Sequence, residues 1–336
     1  MADHNTLLRQ LGNIEPVIYV DGLCRDFGSL RAVKDLDLVI MRGEVFGFLG
    51  PNGAGKSTAI RMMMGLMAPT AGEVSILGMN VVTQLDDLRP KMGYMPQRFS
   101  LYTDLSVEEN LDFAATIFGL GRKERRQRIE TVLEEYGLGE RRRQRPATLS
   151  GGWRQRLALA AAVVHEPELV FLDEPTAGVD PDSRRLFWDK LFDLAERGTT
   201  LLVSTHYMDE ALRCHRLCVL KEGERVALNR PSQLVRAIEG RVIELWGEPM
   251  GEMLRLLRNR PEVASVTQLG TRAHVLISPT MATPERALSS LTAFLAEHIK
   301  NLSGEVAEAN LEDALIALSR GALTEAGTKT LEEDVF

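Results

Sequence analysis

The chain has 336 residues, 44% hydrophobic and 26% charged, a balance that suits a globular protein of about two domains. Its net charge of −7 lacks the global basic footprint of a protein that coats nucleic acid. No apolar run approaches the ~20 residues needed to cross a bilayer, and three cysteines leave no even disulfide framework.

Residues 1–16 mix Asp3, Arg9 and Glu15 with leucines and lack a signal-peptide core, so an N-terminal extension and a cytosolic chain are expected. From residue 17 to about 230, strand-like and helix-like segments alternate, the pattern of an α/β domain with a mostly parallel core. Turn clusters such as Pro69-Thr70-Ala71-Gly72 and Arg197-Gly198 punctuate it. Val45–Leu49 reads as a buried strand and Ser57–Met67 as a helix. Between them, Gly50-Pro51-Asn52-Gly53-Ala54-Gly55-Lys56-Ser57-Thr58 fits a phosphate-cradling loop at every required position. Its glycines let backbone N–H groups turn inward as an anion nest. Lys56 adds a point charge for the outer phosphates, and the Ser57 hydroxyl suits Mg²⁺. A triphosphate would then sit on a helix N-terminus, where the dipole favours negative charge.

Further along, Leu105 to about Gly139 reads as continuously helical, with Ser106 as N-cap before Glu108 and Glu109, an insertion in the α/β domain. Ser150-Gly151-Gly152 opens an apolar-faced helix, a second place where free N–H groups suit an anion. Leu169–Asp173 reads as a buried strand that delivers Asp173 and Glu174 at its C-terminal end, where ligands bind in open α/β sheets. Asp173 suits a Mg²⁺ shell, and Glu174 can polarise a water. Cys214 and Cys218, near His206 and His215, do not meet zinc spacing, and Leu217–Leu220 reads as a core strand.

After Pro231 the order becomes strand 241–246, helix 250–258, a hairpin of 263–268 and 273–278 across Gly270, helix 285–299, strand 304–308 and helix 311–320. This βαββαβ order with a closing helix suggests a small α+β, ferredoxin-like domain over 231–320. Residues 321–336 are expected to form a flexible tail.

Taken in order, the phosphate loop, Gln97 after Gly93-Tyr94-Met95-Pro96, Leu149-Ser150-Gly151-Gly152, Asp173-Glu174, Ala177-Gly178-Val179-Asp180 and Ser204-Thr205-His206 resemble the ATP-binding cassette family over about residues 17–230. The resemblance implies a P-loop NTPase fold with a helical subdomain at about 105–165, and ATP and Mg²⁺ as ligands. Phe27 would stack on adenine. Gly50 through Thr58 would hold the phosphates, with Ser57, Gln97 and Asp173 serving Mg²⁺. Glu174 would be the general base, and His206 would contact the γ-phosphate. Ser150, Gly151 and Gly152 would contact ATP bound to an opposite cassette, with Asp180 at the same interface, so two cassettes, expected as a homodimer, would sandwich the nucleotide.

Met95-Pro96-Gln97, the run from Thr205 to Ala211 and the C-terminal domain are similar to ATPase subunits of ABC-2-type exporters. That likeness implies separate polytopic permease subunits and a peripheral place on the cytoplasmic face of the membrane. Two other readings use the same chemistry: a soluble cassette ATPase acting on ribosomes or nucleic acid, and an importer ATPase. The arginine-rich runs 122–128 and 141–145 read as solvated helix faces, with anionic lipid contact as a minor role and no nucleic acid expected. One position departs from the family: Trp153 stands where its signature usually has Gln.

Overall fold

The computed structural model describes residues 15–97, 100–278 and 283–319. Most of the expected N-terminal extension and the expected tail lie outside those residues. The chain divides into two units, Met1–Tyr207 with Cys214–Arg225, and Met208–Arg213 with Val226–Phe336.

The first unit opens with β1 (Ile18–Phe27) and β2 (Leu30–Ile40), an antiparallel hairpin, followed by β3 (Val45–Leu49) and α1 (Lys56–Met63). Helix α1 is shorter than the sequence suggests, because Met64 caps it and Gly65 turns the chain at φ 67°. Strands β4 (Ala71–Ile76) and β5 (Met79–Asn80) complete an antiparallel sheet in the order β2-β1-β4-β5. This sheet is not foreseen by the parallel pattern. Ala71-Gly72 opens β4 instead of closing a turn: Gly72 lies so close to Gly22 that any Cβ would run into the Gly22 carbonyl.

The chain continues through α2 (Leu85–Leu88), β6 (Met92–Met95), α3 (Val107–Ile117), α4 (Arg122–Glu135), α5 (Gly151–Val163), β7 (Leu169–Asp173), α6 (Pro181–Glu196), β8 (Thr200–Thr205), α7 (Met208–Ala211), β9 (Arg216–Lys221) and β10 (Glu224–Asn229). The main sheet runs β9-β3-β8-β7-β6 with these strands parallel. Every residue of β3, β7 and β8 is buried, as apolar runs in a sheet covered on both faces must be. A buried ion pair reinforces the sheet edge, with Arg216 donating to Glu44 at 2.6 and 2.9 Å and to the Val39 carbonyl.

The helical insertion is two helices where the sequence pattern suggests one. Helix α3 starts at a capping box between Ser106 and Glu109, as its sequence predicts, and stops where Gly119 takes φ 79°. Its arginine-rich neighbours are engaged within the unit. Arg125 pairs with Asp112, Arg128 with Glu166, and Arg142 with both Glu108 and Glu130.

The second unit contains α8 (Pro231–Arg236), β11 (Val242–Glu248), α9 (Met250–Arg258), β12 (Val263–Leu269), β13 (Arg272–Ile277), α10 (Pro284–Leu295), β14 (Lys300–Ala307) and α11 (Leu311–Ser319). Its sheet is antiparallel in the order β12-β13-β11-β14, and its core includes Ile243, Leu245, Met253, Leu257, Val275 and Leu291. Strand β14 begins four residues earlier than the sequence suggests, because its register on β11 runs back to a Lys300–Glu248 pairing.

In this unit His274 is buried between two carboxylates, Asp313 on α11 at 2.9 Å and Glu244 on β11 at 3.3 Å. The Asp313 hydrogen bond raises its pKa against the opposing effect of burial. A raised folded-state pKa stabilises the fold fully below the unfolded value of about 6.5 and is lost as pH climbs through the folded value. Chemical denaturation followed by Trp246 fluorescence is therefore expected to show the second unit weakening as pH rises above 6.5. H274Q is expected to cost about 1–2 kcal/mol at pH 6 and to flatten that dependence.

Candidate nucleotide site

The register of the main sheet brings the sequence motifs to one edge. Leu49 at the end of β3 pairs with Thr205 at the end of β8, and Asp173 at the end of β7 pairs with Ser204. The phosphate loop, the acidic pair and His206 therefore leave the sheet side by side.

The loop from Gly50 to Gly55 is a cradle whose two ends leave no room for a side chain. A Cβ at Gly50 would collide with the Leu220 carbonyl, and one at Gly55, at φ 102°, would sit 2.6 Å from the Ala32 carbonyl. Gly53 takes φ 83° with open space around it, and Pro51, Asn52 and Gly53 are exposed while Ala54 is buried. Lys56 is buried, donates to the carbonyls of Gly50 and Pro51 at 2.7 and 3.1 Å, and lies 3.4 Å from Glu174. Ser57 and Thr58 open α1 beneath the cradle. This fit of backbone donors, a helix N-terminus and a buried ammonium matches a polyphosphate.

The acidic pair is held with equal care. Asp173 Oδ1 accepts from Ser57 Oγ at 3.0 Å and from Ser204 Oγ at 2.6 Å. That oxygen-only set suits a hard cation such as Mg²⁺. Glu174 takes φ 48°, and its N–H is held by the Ser204 hydroxyl at 2.9 Å. Its carboxylate receives Gln97 Nε2 at 3.0 Å and faces His206 Nδ1 at 3.5 Å. Gln97 and His206 thus converge on one carboxylate oxygen.

Phe27 ends β1 at the tip of the first hairpin, 43% exposed, with the Arg25 guanidinium 4.8 Å over one face. Ser150 caps α5 with an exposed side chain that makes no capping hydrogen bond. Gly151 faces open space, whereas a Cβ at Gly152 would be 2.5 Å from Ser183 Oγ, so close packing on α6 requires the second glycine. Asp180 caps α6, accepting from Ser183 N at 2.9 Å, and that bond holds its carboxyl below the usual range. Trp153 carries two guanidinium groups over its ring, Arg141 at 4.3 Å and Arg156 at 4.5 Å from the centroid.

Sequence reasoning missed three supporting residues. Ser204 bonds both members of the acidic pair, although its only signal was its place before Thr205-His206. Buried Gln155 donates to the Pro175 carbonyl and so ties α5 to the acidic turn. Arg184 stacks on Tyr207 at 4.1 Å beside His206. Neither of the last two has a spacing that announces it.

The chain is similar to known proteins in sequence and in fold. The ABC transporter family profile matches residues 33–177. The "Nod factor export ATP-binding protein I" of Rhizobium leguminosarum bv. viciae is 37% identical over 311 residues, 92% of this chain and 96% of that protein. The chain belongs to the ABC transporter family. It is an ABC-type ATPase, and the family assignment implies that it binds ATP. The "Probable multidrug ABC transporter ATP-binding protein YbhF" of Escherichia coli (strain K12) is 43% identical over 220 residues, and the chain spans 38% of its length.

Among solved structures, an ATP-binding subunit of an ABC transporter aligns at TM-score 0.60 and 32% identity, over 66% of this chain and 92% of that one. A dimeric ATP-binding cassette in a post-hydrolysis state with ADP and Pi aligns at TM-score 0.58 and 29% identity, over 63% and 98%. For this ABC ATPase, K56A is expected to weaken ATP binding by about two orders of magnitude, since it removes charge-assisted bonds from a buried site. Equilibrium binding of a fluorescent ATP analogue measures it; unchanged affinity would remove Lys56 from the site.

Proposed function

We propose that this chain is the energy-supplying ATPase of an ABC-2-type exporter, and that two copies close on two ATP molecules. The observation that carries the reading is the convergence of Lys56, the Ser57–Asp173 pair, and Glu174 with Gln97 and His206 at one sheet edge. In this reading Gly50, Pro51, Asn52, Gly53, Ala54, Gly55, Lys56, Ser57 and Thr58 hold the phosphates, and Phe27 offers adenine the ring face that Arg25 does not cover. Ser57, Asp173 and Gln97 would hold Mg²⁺, which when bound would neutralise charge on the outer phosphates. Glu174 accepts the proton of the attacking water at its carboxylate, and His206 contacts the γ-phosphate and orients the attack.

The second cassette is inferred from the signature. Ser150, Gly151, Gly178 and Asp180 are solvent-facing in the single chain, and the related cassette described as a dimer with ADP and Pi supports their meeting a partner. Ser150 and the α5 N-terminus then donate to ATP held by the other copy. Export rests on the relatives named for multidrug transport and Nod factor export. A groove of about 740 Å³ along α3, which includes Tyr94, Tyr102, Phe113 and Ile117, offers an apolar docking face for a permease subunit. Among the described residues no helix is long and apolar enough to cross a membrane, so this reading needs separate membrane subunits and places the chain peripherally on the cytoplasmic face. We assign residues 17–230 to the ATPase domain, with 105–165 as its helical part, and 231–320 to an accessory domain. The β12-β13-β11-β14 order with two crossover helices supports a ferredoxin-like arrangement there.

E174Q is expected to lower turnover by about two to three orders of magnitude while ATP stays bound and drives dimerisation in size-exclusion light scattering. Adding S150R in the same chain is expected to keep it monomeric; dimers at the same ATP concentration would overturn the cross-subunit assignment. Purified from its native membranes, the chain is expected to carry a polytopic membrane protein, and recovery with ribosomes instead would favour the soluble reading.

A further inference from the structure

Trp153 is the signature's departure from its family, and two guanidinium groups stack on its ring. Arg141, from the turn Gly139–Arg141, covers one guanidinium contact at 4.3 Å, and Arg156, one turn along α5, makes the other at 4.5 Å. Arg141 Nε is buried with no hydrogen-bond partner, and its guanidinium lies over the indole. The segment bearing Arg141 is fixed in turn. Arg142 binds Glu108 on α3 at 2.7 Å and Glu130 on α4 at 2.8 Å, while Val107 N and Glu108 N donate to the carbonyls of Gln144 and Arg142.

The N-terminus of α5 is therefore held from two directions. Gly152 and Gln155 fasten it to Ser183 and to the Pro175 carbonyl, on the side of the acidic pair. Trp153 fastens it to a segment locked onto α3, the helix that lines the apolar groove. Ser150, just ahead of these anchors, has no capping bond of its own to set its pose. A Gln at 153 would offer hydrogen bonds but no π face for two guanidinium groups.

We propose that Trp153 is a positioning residue: the Arg141–Trp153–Arg156 stack holds Ser150 and Gly151 in the pose that completes the partner cassette's ATP site, and links that pose to α3. The proposal rests on the cross-subunit reading above. It is tested in the E174Q background by the ATP concentration that gives half-maximal dimerisation in light scattering. Single-cassette ATP affinity, measured in the monomeric S150R background, and the thermal midpoint without ATP are followed in parallel.

W153Q is expected to raise that ATP concentration about tenfold, the loss of two cation–π contacts. Single-cassette affinity and the thermal midpoint stay unchanged. W153F, which keeps a ring beneath the arginines, is expected to recover most of the loss, and R141Q to reproduce part of it. A W153Q chain that dimerises like its parent overturns the proposal. So does one whose affinity and midpoint fall in step with dimerisation, since that marks a general packing role. If W153Q fails to fold, R141Q and W153F carry the same comparison with the ring retained. An E174Q parent that never dimerises with ATP removes the dimer reading itself, and this inference with it, a result distinct from a W153Q effect.

Discussion

Because β3, β7 and β8 run parallel and side by side, their C-terminal ends fall on one line, with Leu49 opposite Thr205 and Asp173 opposite Ser204. The site is a consequence of that register. A slip of one residue in β7 would turn Asp173 to the opposite face and separate it from both Ser57 and Ser204. The slip is opposed by burial, since Phe46, Phe48, Phe171 and the leucines of β7 and β8 have almost no exposure and fill both faces of the sheet. Hydrophobic burial thus sets the positions of oxygens on which it makes no direct demand.

The same edge concentrates charge where water is scarce. Lys56 and Glu174 are both buried, and either alone would be costly to keep ionised. Their 3.4 Å separation offsets part of that cost, and Gln97 supplies a further donor to the carboxylate. Glu174 also adopts a left-handed backbone, which costs a non-glycine residue about 1–2 kcal/mol. Ser204 compensates by binding its N–H. With Lys56, Gln97 and His206 around its carboxylate and Ser204 on its N–H, Glu174 has little freedom to choose another rotamer.

Much of this was legible in the sequence because the phosphate loop works through its own backbone and the acidic pair through its own strand end. Local chemistry of that kind leaves a fixed spacing, and Gly50 to Thr58 and Leu169 to Glu174 lie in the structure where their spacing predicts. The C-terminal elements were legible for a similar reason, since the pattern switches from strand to helix at Pro249 and Gly270 marks the turn of a hairpin. What escaped depends on contacts distant in sequence. The β2-β1-β4-β5 sheet exists through pairings such as Tyr19 with Ser75, and Gly72 looks like a turn residue until Gly22 is beside it. Gln155 and Ser204 act on the acidic turn from residues 20 and 30 positions away. The break between α3 and α4 was signalled by Gly119 and Gly121, but helix propensity on either side masked it.

Two helices begin close to one another at this surface, and they differ in what their first turns have left to offer. At α6 the Asp180 carboxylate already accepts from Ser183 N and is held ionised by that bond, so its negative charge opposes an incoming phosphate. At α5 the cap is Ser150, neutral, exposed and without a capping bond, and Gly151 adds no side chain to block approach. No acidic residue stands in the first turn of α5. An anion approaching this surface would therefore meet free donors and an uncancelled dipole at α5, but a carboxylate at α6. The difference between these neighbouring helix ends thus comes down to one cap residue, a neutral serine at α5 and a carboxylate at α6.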